Sequence, residues 1–302
     1  MTRASGWCRI SGDCDQPPWK ARVWHLLNGL DNAWRPNQEH PRLQPRSFQP
    51  LLDQRTWDTL NQLDRGLSSP SRRLILHFLA QFPWKTVAEA SGPLRVADLG
   101  CGRGQSALHL QAFSDGRVAS YQGFDIAPRP EWGPLQAAHP FITCRQEDSH
   151  RVLAHLDPAV NLLFSQTSLE HIPDDLQLFR RIAAWMETRR APLLQLHFLP
   201  SPVCRELYDL HGYRQYSPRK VVRLLNRLPA DCRASLFTLG GKACCQLHRE
   251  WVGPGPDRRE SDVARYNELL RKALGEEVHP TDPPAFYALV IVSGGLIDPF
   301  SP

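Results

Sequence analysis

The sequence predicts an α/β protein built on a doubly wound, mostly parallel sheet with helices on both faces. Two observations carry that prediction. From Leu94 onward, apolar strand-like runs alternate with amphipathic helical stretches, the pattern of a parallel sheet crossed over by helices. The first of these strands, Leu94–Leu99, runs straight into Gly100-Cys-Gly-Arg-Gly104 before a helix at Gln105–Phe113. Alternating glycines let the main chain turn tightly with nothing projecting from it. A ligand can then lie against the backbone near the amide-rich start of the helix. Asp98 stands just before the turn, where a carboxylate meets a cationic or hydroxylated ligand.

The remaining elements follow in order. A second strand over 118–126 ends in Gly123-Phe-Asp-Ile126, which places Asp125 about 20 residues past the glycine turn, a spacing suited to an acid facing a ribose. The competing use of Asp125 is a turn before Pro128. A third strand, 141–145, leads into Gln146-Glu-Asp-Ser149 and a helix over 149–156. The fourth, 159–164, is followed by Ser165-Gln-Thr-Ser-Leu-Glu-His-Ile-Pro-Asp174 and a helix over 174–188. The fifth, 192–198, opens a stretch carrying His197, Tyr208, His211, Tyr213, Arg214 and Tyr216. Then come a helix at 219–228, hairpin strands at 235–239 and 244–251 around Gly240-Gly241, a helix at 261–274 and a last strand at 286–292.

Upstream, residues 51–90 read as a helical cap with helices at 54–65 and 71–82. Leu74, Ile75, Phe78, Leu79 and Phe82 make the second one amphipathic. Residues 1–50 carry Trp7, Trp19, Trp24 and Trp34 among six prolines, too aromatic for a disordered tail and too broken for long helices. They read as an irregular arm that covers apolar surface or lines a substrate cleft. Residues 91–302 form the cofactor-binding domain.

At 302 residues with 41% hydrophobic and 22% charged content, the chain belongs with ordinary globular proteins. No run approaches the roughly 20 apolar residues of a membrane span, and the first residues lack the apolar core of a secretory signal. The eight cysteines form neither a C-x-x-C nor a zinc-like spacing, so reduced thiols in a cytoplasmic protein are expected. The net charge of +5 comes without a long basic run, and a nucleic-acid partner is not expected.

The string Val96-Ala-Asp-Leu-Gly-Cys-Gly-Arg-Gly104 has G-x-G-x-G where a dinucleotide fingerprint has G-x-G-x-x-G. It closely resembles motif I of class I S-adenosylmethionine-dependent methyltransferases. That resemblance implies a Rossmann-like seven-stranded sheet with an antiparallel last pair. It assigns S-adenosyl-L-methionine as cofactor, with Asp98, Gly100, Gly102 and Gly104 around its methionine part. Asp125, with Ile126 beside it, falls on the ribose, and Asp148 with Ser149 near the adenine, where Glu147 is an alternative and a helix N-cap the competing use. The Ser165-to-Asp174 segment resembles the post-strand motif of small-molecule methyltransferases, often written with Leu-Glu-His. Its position puts Ser165, Gln166, Glu170 and His171 where cofactor and substrate meet. His171, or else His197, suits removal of a proton from an acceptor hydroxyl, unless His171 only shapes the loop. Tyr208, His211, Tyr213 and Tyr216 stand where the family places substrate-binding residues, and such polar aromatics suit a hydroxylated acceptor.

Missing features narrow the reaction. No Asn/Asp-Pro-Pro-Tyr of base-amine methylation follows the fourth strand, no cysteine is placed for pyrimidine carbon-5 chemistry, and no acid-and-amide metal set of the catechol type is legible. What remains is metal-independent transfer to a hydroxyl, or else to an amine or carbon. The stretches Leu169-Glu-His171 and His211-Gly-Tyr-Arg-Gln-Tyr-Ser-Pro218 resemble methyltransferases of polysaccharide and other glycan pathways, which implies a sugar or glycan hydroxyl as acceptor. The alternatives are a natural-product or lipid-like acceptor, or a non-catalytic cofactor-binding protein.

Overall fold

A computed structural model describes residues 18–33, 39–189, 191–208, 210–253, 257–276, 278 and 283–300. Trp7 and Trp34 lie outside the described residues. Eight strands form one sheet: Leu43–Phe48 (β1), Leu94–Leu99 (β2), Val118–Asp125 (β3), Ile142–Gln146 (β4), Leu162–Gln166 (β5), Leu193–Pro200 (β6), Arg233–Leu239 (β7) and Phe286–Ser293 (β8). Their order is β1-β7-β8-β6-β5-β2-β3-β4, and all neighbours are parallel except β8, which runs antiparallel to both β6 and β7. The chain reverses its direction of travel across the sheet between β2 and β5. That switch point opens a crevice at the carboxyl ends of the strands.

Helices cover both faces. Gln54–Asp64 (α2), Pro70–Gln81 (α3), Trp84–Ser91 (α4), Gln105–Phe113 (α5) and Trp132–Ala138 (α6) pack on one face, joined later by Cys204–Leu207 (α9), Lys242–Trp251 (α11) and Val263–Gly275 (α12). Ser149–Val152 (α7), Asp175–Glu187 (α8) and Pro218–Leu225 (α10) pack on the other. β6 and β8 are buried along their whole length, with Leu194, Leu196 and Phe198 facing one layer and Leu193 and Leu199 the other. Such double burial explains their unbroken apolar sequence.

Three expectations need correction. Where it is described, the N-terminal region is not irregular: it holds the helix Pro18–Ala33 (α1) and the edge strand β1. Its prolines punctuate these elements, Pro18 opening α1, where no amide donor is needed, and Pro45 lying on a sheet edge. The sheet therefore has eight strands rather than seven, β1 adding in parallel beyond β7. Residues 244–251 are helical, not the second arm of a hairpin. Cys244, Cys245, Leu247 and His248 are buried on one helix face, and Gly240, at φ 63°, turns β7 into α11. A side chain at Gly240 would meet Leu74 Cδ1 at 2.6 Å, so this turn needs glycine.

Among the described residues, no helix is long and apolar enough to cross a membrane. The larger core layer centres on Phe78 of α3, which is 1% exposed and rings with Phe48, Phe82, Phe198, Phe237 and Phe300 at centroid distances of 5.1–6.0 Å. This one ring ties β1, β6, β7 and α3 together. Phe78→Ala is expected to cost about 3–5 kcal/mol, read as a lowered urea midpoint with an unchanged slope.

Candidate functional site: the crevice at the carboxyl ends of the strands

The glycine turn after β2 is held from below by β3. Gly100 N and Cys101 N both donate to the Phe124 carbonyl, at 2.8 and 3.0 Å. Gly100, Gly102 and Gly104 all take positive φ, at 87°, 52° and 78°. Gly100 also has no room for a side chain: a methyl there would sit 2.3 Å from Ser168 Cβ. Gly104 is closed by Leu135 of α6, whereas Gly102 faces open space. Trp132, at the start of α6, donates its indole N–H to Gly102 O at 2.8 Å and so braces the turn from the far side.

Two carboxylates flank this turn. Asp98, at the end of β2, is 1% exposed. The Tyr121 hydroxyl donates to its Oδ2, while Oδ1 has no hydrogen-bond partner among the described residues. Burial pushes Asp98 up to about 7, with help from the like charge of Asp125 and against the hydroxyls of Tyr121 and, more weakly, Ser106, which makes no full hydrogen bond to Oδ1. Asp125, at the end of β3, accepts from Gly102 N through Oδ2 at 2.9 Å and from Ala127 N through Oδ1 at 3.1 Å. It thus makes a local turn and also links the end of β3 to the glycine turn. Each oxygen keeps a further lone pair. Ile126 beside it is 73% exposed, an apolar surface at the lip of the crevice. One strand further out, Asp148 caps α7 through Oδ1, which accepts from His150 N at 2.7 Å, and Ser149 begins that helix. Glu147 pairs with His155 at 2.7 Å.

On the other side of β2, the segment after β5 leans over the turn. Ser168 Oγ donates to Leu99 O at 2.5 Å, and Thr167 N donates to Phe198 O at 3.1 Å. Thr167 takes φ 51°, a strained conformation for a β-branched residue. It throws the chain into the single turn Leu169–His171, which carries Glu170 and His171. Glu170 is 1% exposed in its side chain, and His171 is 33% exposed. His211 joins them from a turn that packs directly onto Glu170: Tyr213 N donates to Glu170 O at 2.7 Å. Gly212 takes φ 66° with its would-be Cβ 2.9 Å from that same oxygen. The rings of His171 and His211 meet edge to face at 4.6 Å.

The structure separates the other expected residues from this crevice. His197 is fully buried on the opposite face of β6, where its Nδ1 lies 2.7 Å from Ser165 Oγ and its ring packs on Phe179. Burial lowers it to about 3. The Ser165 hydroxyl bonded to it is fully buried as well. Tyr216 is also fully buried, donating to Asp175 Oδ2 at 2.9 Å, and is not a substrate contact. Tyr208 is half-buried, its hydroxyl paired with Ser71 and its ring against His248. His211 and Tyr213 remain half-exposed at the mouth. Tyr121, Trp132 and Thr167 are site residues that carry no sequence signal of their own. The first needs the strand register, the second the helix packing and the third the backbone angle.

α1 closes this side. Fully buried Trp24 donates its indole N–H to Gly212 O at 3.0 Å. Asp31 pairs with Arg219 at 2.7 Å and Lys220 at 2.5 Å. The N-terminal helix therefore holds the turn that presents His211.

Asp98 supplies a test through pH. Its carboxyl is raised in the folded chain, so folding retains a proton that the unfolded chain releases as pH climbs from about 4 to about 7. Stability should fall across that window. Urea midpoints at pH 5 and pH 8 are expected to drop further for wild type than for Asp98→Asn, which has no such proton to lose.

No family model matches the chain, and no curated protein matches it. Solved structures do. The plantazolicin methyltransferase BamL, determined with a triazolic desmethylPZN analog and SAH, aligns at a TM-score of 0.50 and 12% identity, over 80% of this chain and 94% of that one. The plantazolicin methyltransferase BpumL with SAH aligns at 0.48 and 11%, covering 91% and 98%. An S-adenosylmethionine-dependent methyltransferase from Mesorhizobium loti aligns at 0.43 and 16%, covering 71% and 99%. With its strand order, its antiparallel β8 and its glycine turn after β2, this chain has the Rossmann-like fold of class I S-adenosylmethionine-dependent methyltransferases.

Proposed function

We propose that the protein is an S-adenosylmethionine-dependent methyltransferase acting on a hydroxyl of a small-molecule or glycan acceptor, with a sugar the first candidate. The observation that carries the cofactor is the pairing of two carboxylates around a glycine turn that is open at Gly102. Asp98 keeps a buried oxygen without a hydrogen-bond partner, and Asp125 stands at the end of the adjoining strand. A ligand with a cationic methionine part and a ribose diol matches that pair. Gly102 leaves the main chain open to it, and exposed Ile126 offers an apolar face for the base. Asp148 and Ser149 lie one strand further out, toward the adenine amino group in this reading.

The acceptor enters on the opposite side, beneath α1, where Glu170, His171, His211 and Tyr213 line the mouth. Their polarity favours a hydroxylated acceptor over a lipid-like one. The sulfonium supplies the electrophilic methyl. The chain's part is to align the acceptor oxygen behind it, exclude water and receive or delocalise the departing proton. Ser168, two residues before Glu170, bonds to Leu99 beside the glycine turn, which supports a role for Glu170 and His171 close to the transferred methyl. Full burial of His197 supports His171 over it as the group near the acceptor.

Calorimetric titration of S-adenosylmethionine and S-adenosylhomocysteine tests the reading. Wild type is expected to bind both, and Asp125→Ala at least tenfold more weakly, about 1.4 kcal/mol. Folded wild type that binds neither would overturn it. Turnover in an acceptor screen beginning with sugars, read as release of S-adenosylhomocysteine, separates an enzyme from a protein that only holds the cofactor.

A further inference from the structure

The group at the mouth has a geometry that acid–base chemistry alone does not explain. Glu170 carries a carboxylate 1% exposed, and neither of its oxygens has a hydrogen-bond partner among the described residues. A carboxylate is not left buried and unpaired without a large desolvation cost. Two imidazole nitrogens converge on it, His171 Nε2 at 3.9 Å and His211 Nε2 at 3.8 Å from the same Oε1. These separations exceed a hydrogen bond, which brings such atoms to about 3 Å. One ligand atom from each of the three residues lies within 4.8 Å of the others. Bonds of about 2.0–2.2 Å to a shared ion place two ligand atoms at most about 4 Å apart, so a small inward shift of the half-exposed imidazoles completes the set.

We propose that Glu170, His171 and His211 bind a divalent first-row transition-metal ion, and that the ion's open positions take the acceptor hydroxyl. Two imidazoles and one carboxylate suit Mn2+, Fe2+, Co2+ or Zn2+ better than Mg2+ or Ca2+, which favour all-oxygen shells. Three protein ligands leave coordination positions free on the side facing the crevice. The set is supported from outside by contacts already described: Gly212 allows the His211 turn to close on Glu170, Tyr213 N bonds to Glu170 O, and Trp24 bonds to Gly212 O. Such outer contacts orient metal ligands. The metal-free expectation came from the absence of an acid-and-amide set. The ligands here are of another kind, and one of the three, His211, comes from a segment distant in the chain.

The role in transfer rests on the methyltransferase reading, whereas the ion site does not. A hydroxyl bound to the ion loses its proton to water near neutral pH. Its oxygen then forms a bond to the methyl carbon as the carbon–sulfur bond breaks. The electron pair goes to sulfur, turning the sulfonium into a neutral thioether and the acceptor into a methyl ether.

The test uses the full chain without a polyhistidine tag, stripped with a chelator and titrated with Co2+, followed by visible absorption, and with Mn2+, followed by electron paramagnetic resonance. One equivalent is expected to bind. His211→Asn and the near-isosteric Glu170→Gln should each weaken binding tenfold or more, while S-adenosylhomocysteine binds His211→Asn as it binds wild type. Folded wild type that binds S-adenosylhomocysteine but no stoichiometric metal would overturn the ion site and leave the methyltransferase reading standing. Metal binding equal in wild type and both variants would also overturn the site. Wild type that binds metal through these residues but no S-adenosylhomocysteine would uphold the site and remove the methyltransferase reading.

Discussion

The rest of the site depends on one carbonyl. Phe124 O accepts from both Gly100 N and Cys101 N, and this shared bond folds the chain back over the end of β3 as it leaves β2. Only residues that tolerate positive φ can follow that path, and Gly100 must also let Ser168 approach where a side chain would stand. Asp125, next in the chain after Phe124, then closes the loop by accepting from Gly102 N. Asp98 and Asp125 are thus presented to one crevice by a few backbone hydrogen bonds. The same packing that brings them there buries Asp98 and raises its carboxyl.

A second layer of organisation comes from the N-terminal helix. α1 contributes no strand to the parallel core, yet its buried Trp24 and its Asp31 hold the segment from Gly212 to Lys220. His211 directly precedes that segment, and its neighbour Glu170 sits on the turn after β5. This side of the crevice is therefore assembled from three stretches of chain, each held by a main-chain contact.

Legibility differs between the two halves of the crevice for a physical reason. The cofactor half is local: strand, glycine turn, helix and the acid on the next strand follow from residue types at short spacing, and each type is needed where it stands. Glycine marks the positive φ, and the carboxylates mark the strand ends. The half built around Glu170, His197 and His211 is not local. Strand β6 reads Leu-Leu-Gln-Leu-His-Phe-Leu-Pro and is buried on both faces, so hydropathy gives no sign of which side His197 takes. Register decides it, setting His197 against Ser165 and Phe179 instead of toward the crevice. Tyr216 went the same way, because a tyrosine with a buried carboxylate to bond looks in sequence like one that awaits a substrate.

The sequence by itself therefore determined the sheet's parallel core, the turn after its first core strand and the two acids beside it, because these follow from periodicity and from backbone angles open to glycine alone. Tertiary structure decided the rest. It turned the proline-rich start into a helix and an eighth strand, since proline is tolerated at a helix start and on a sheet edge. It made residues 244–251 a helix by burying Cys244, Cys245, Leu247 and His248 against neighbours distant in the chain. It also brought Glu170 and His211 together, a meeting made by the close approach of two turns at Gly212, which no local pattern encodes.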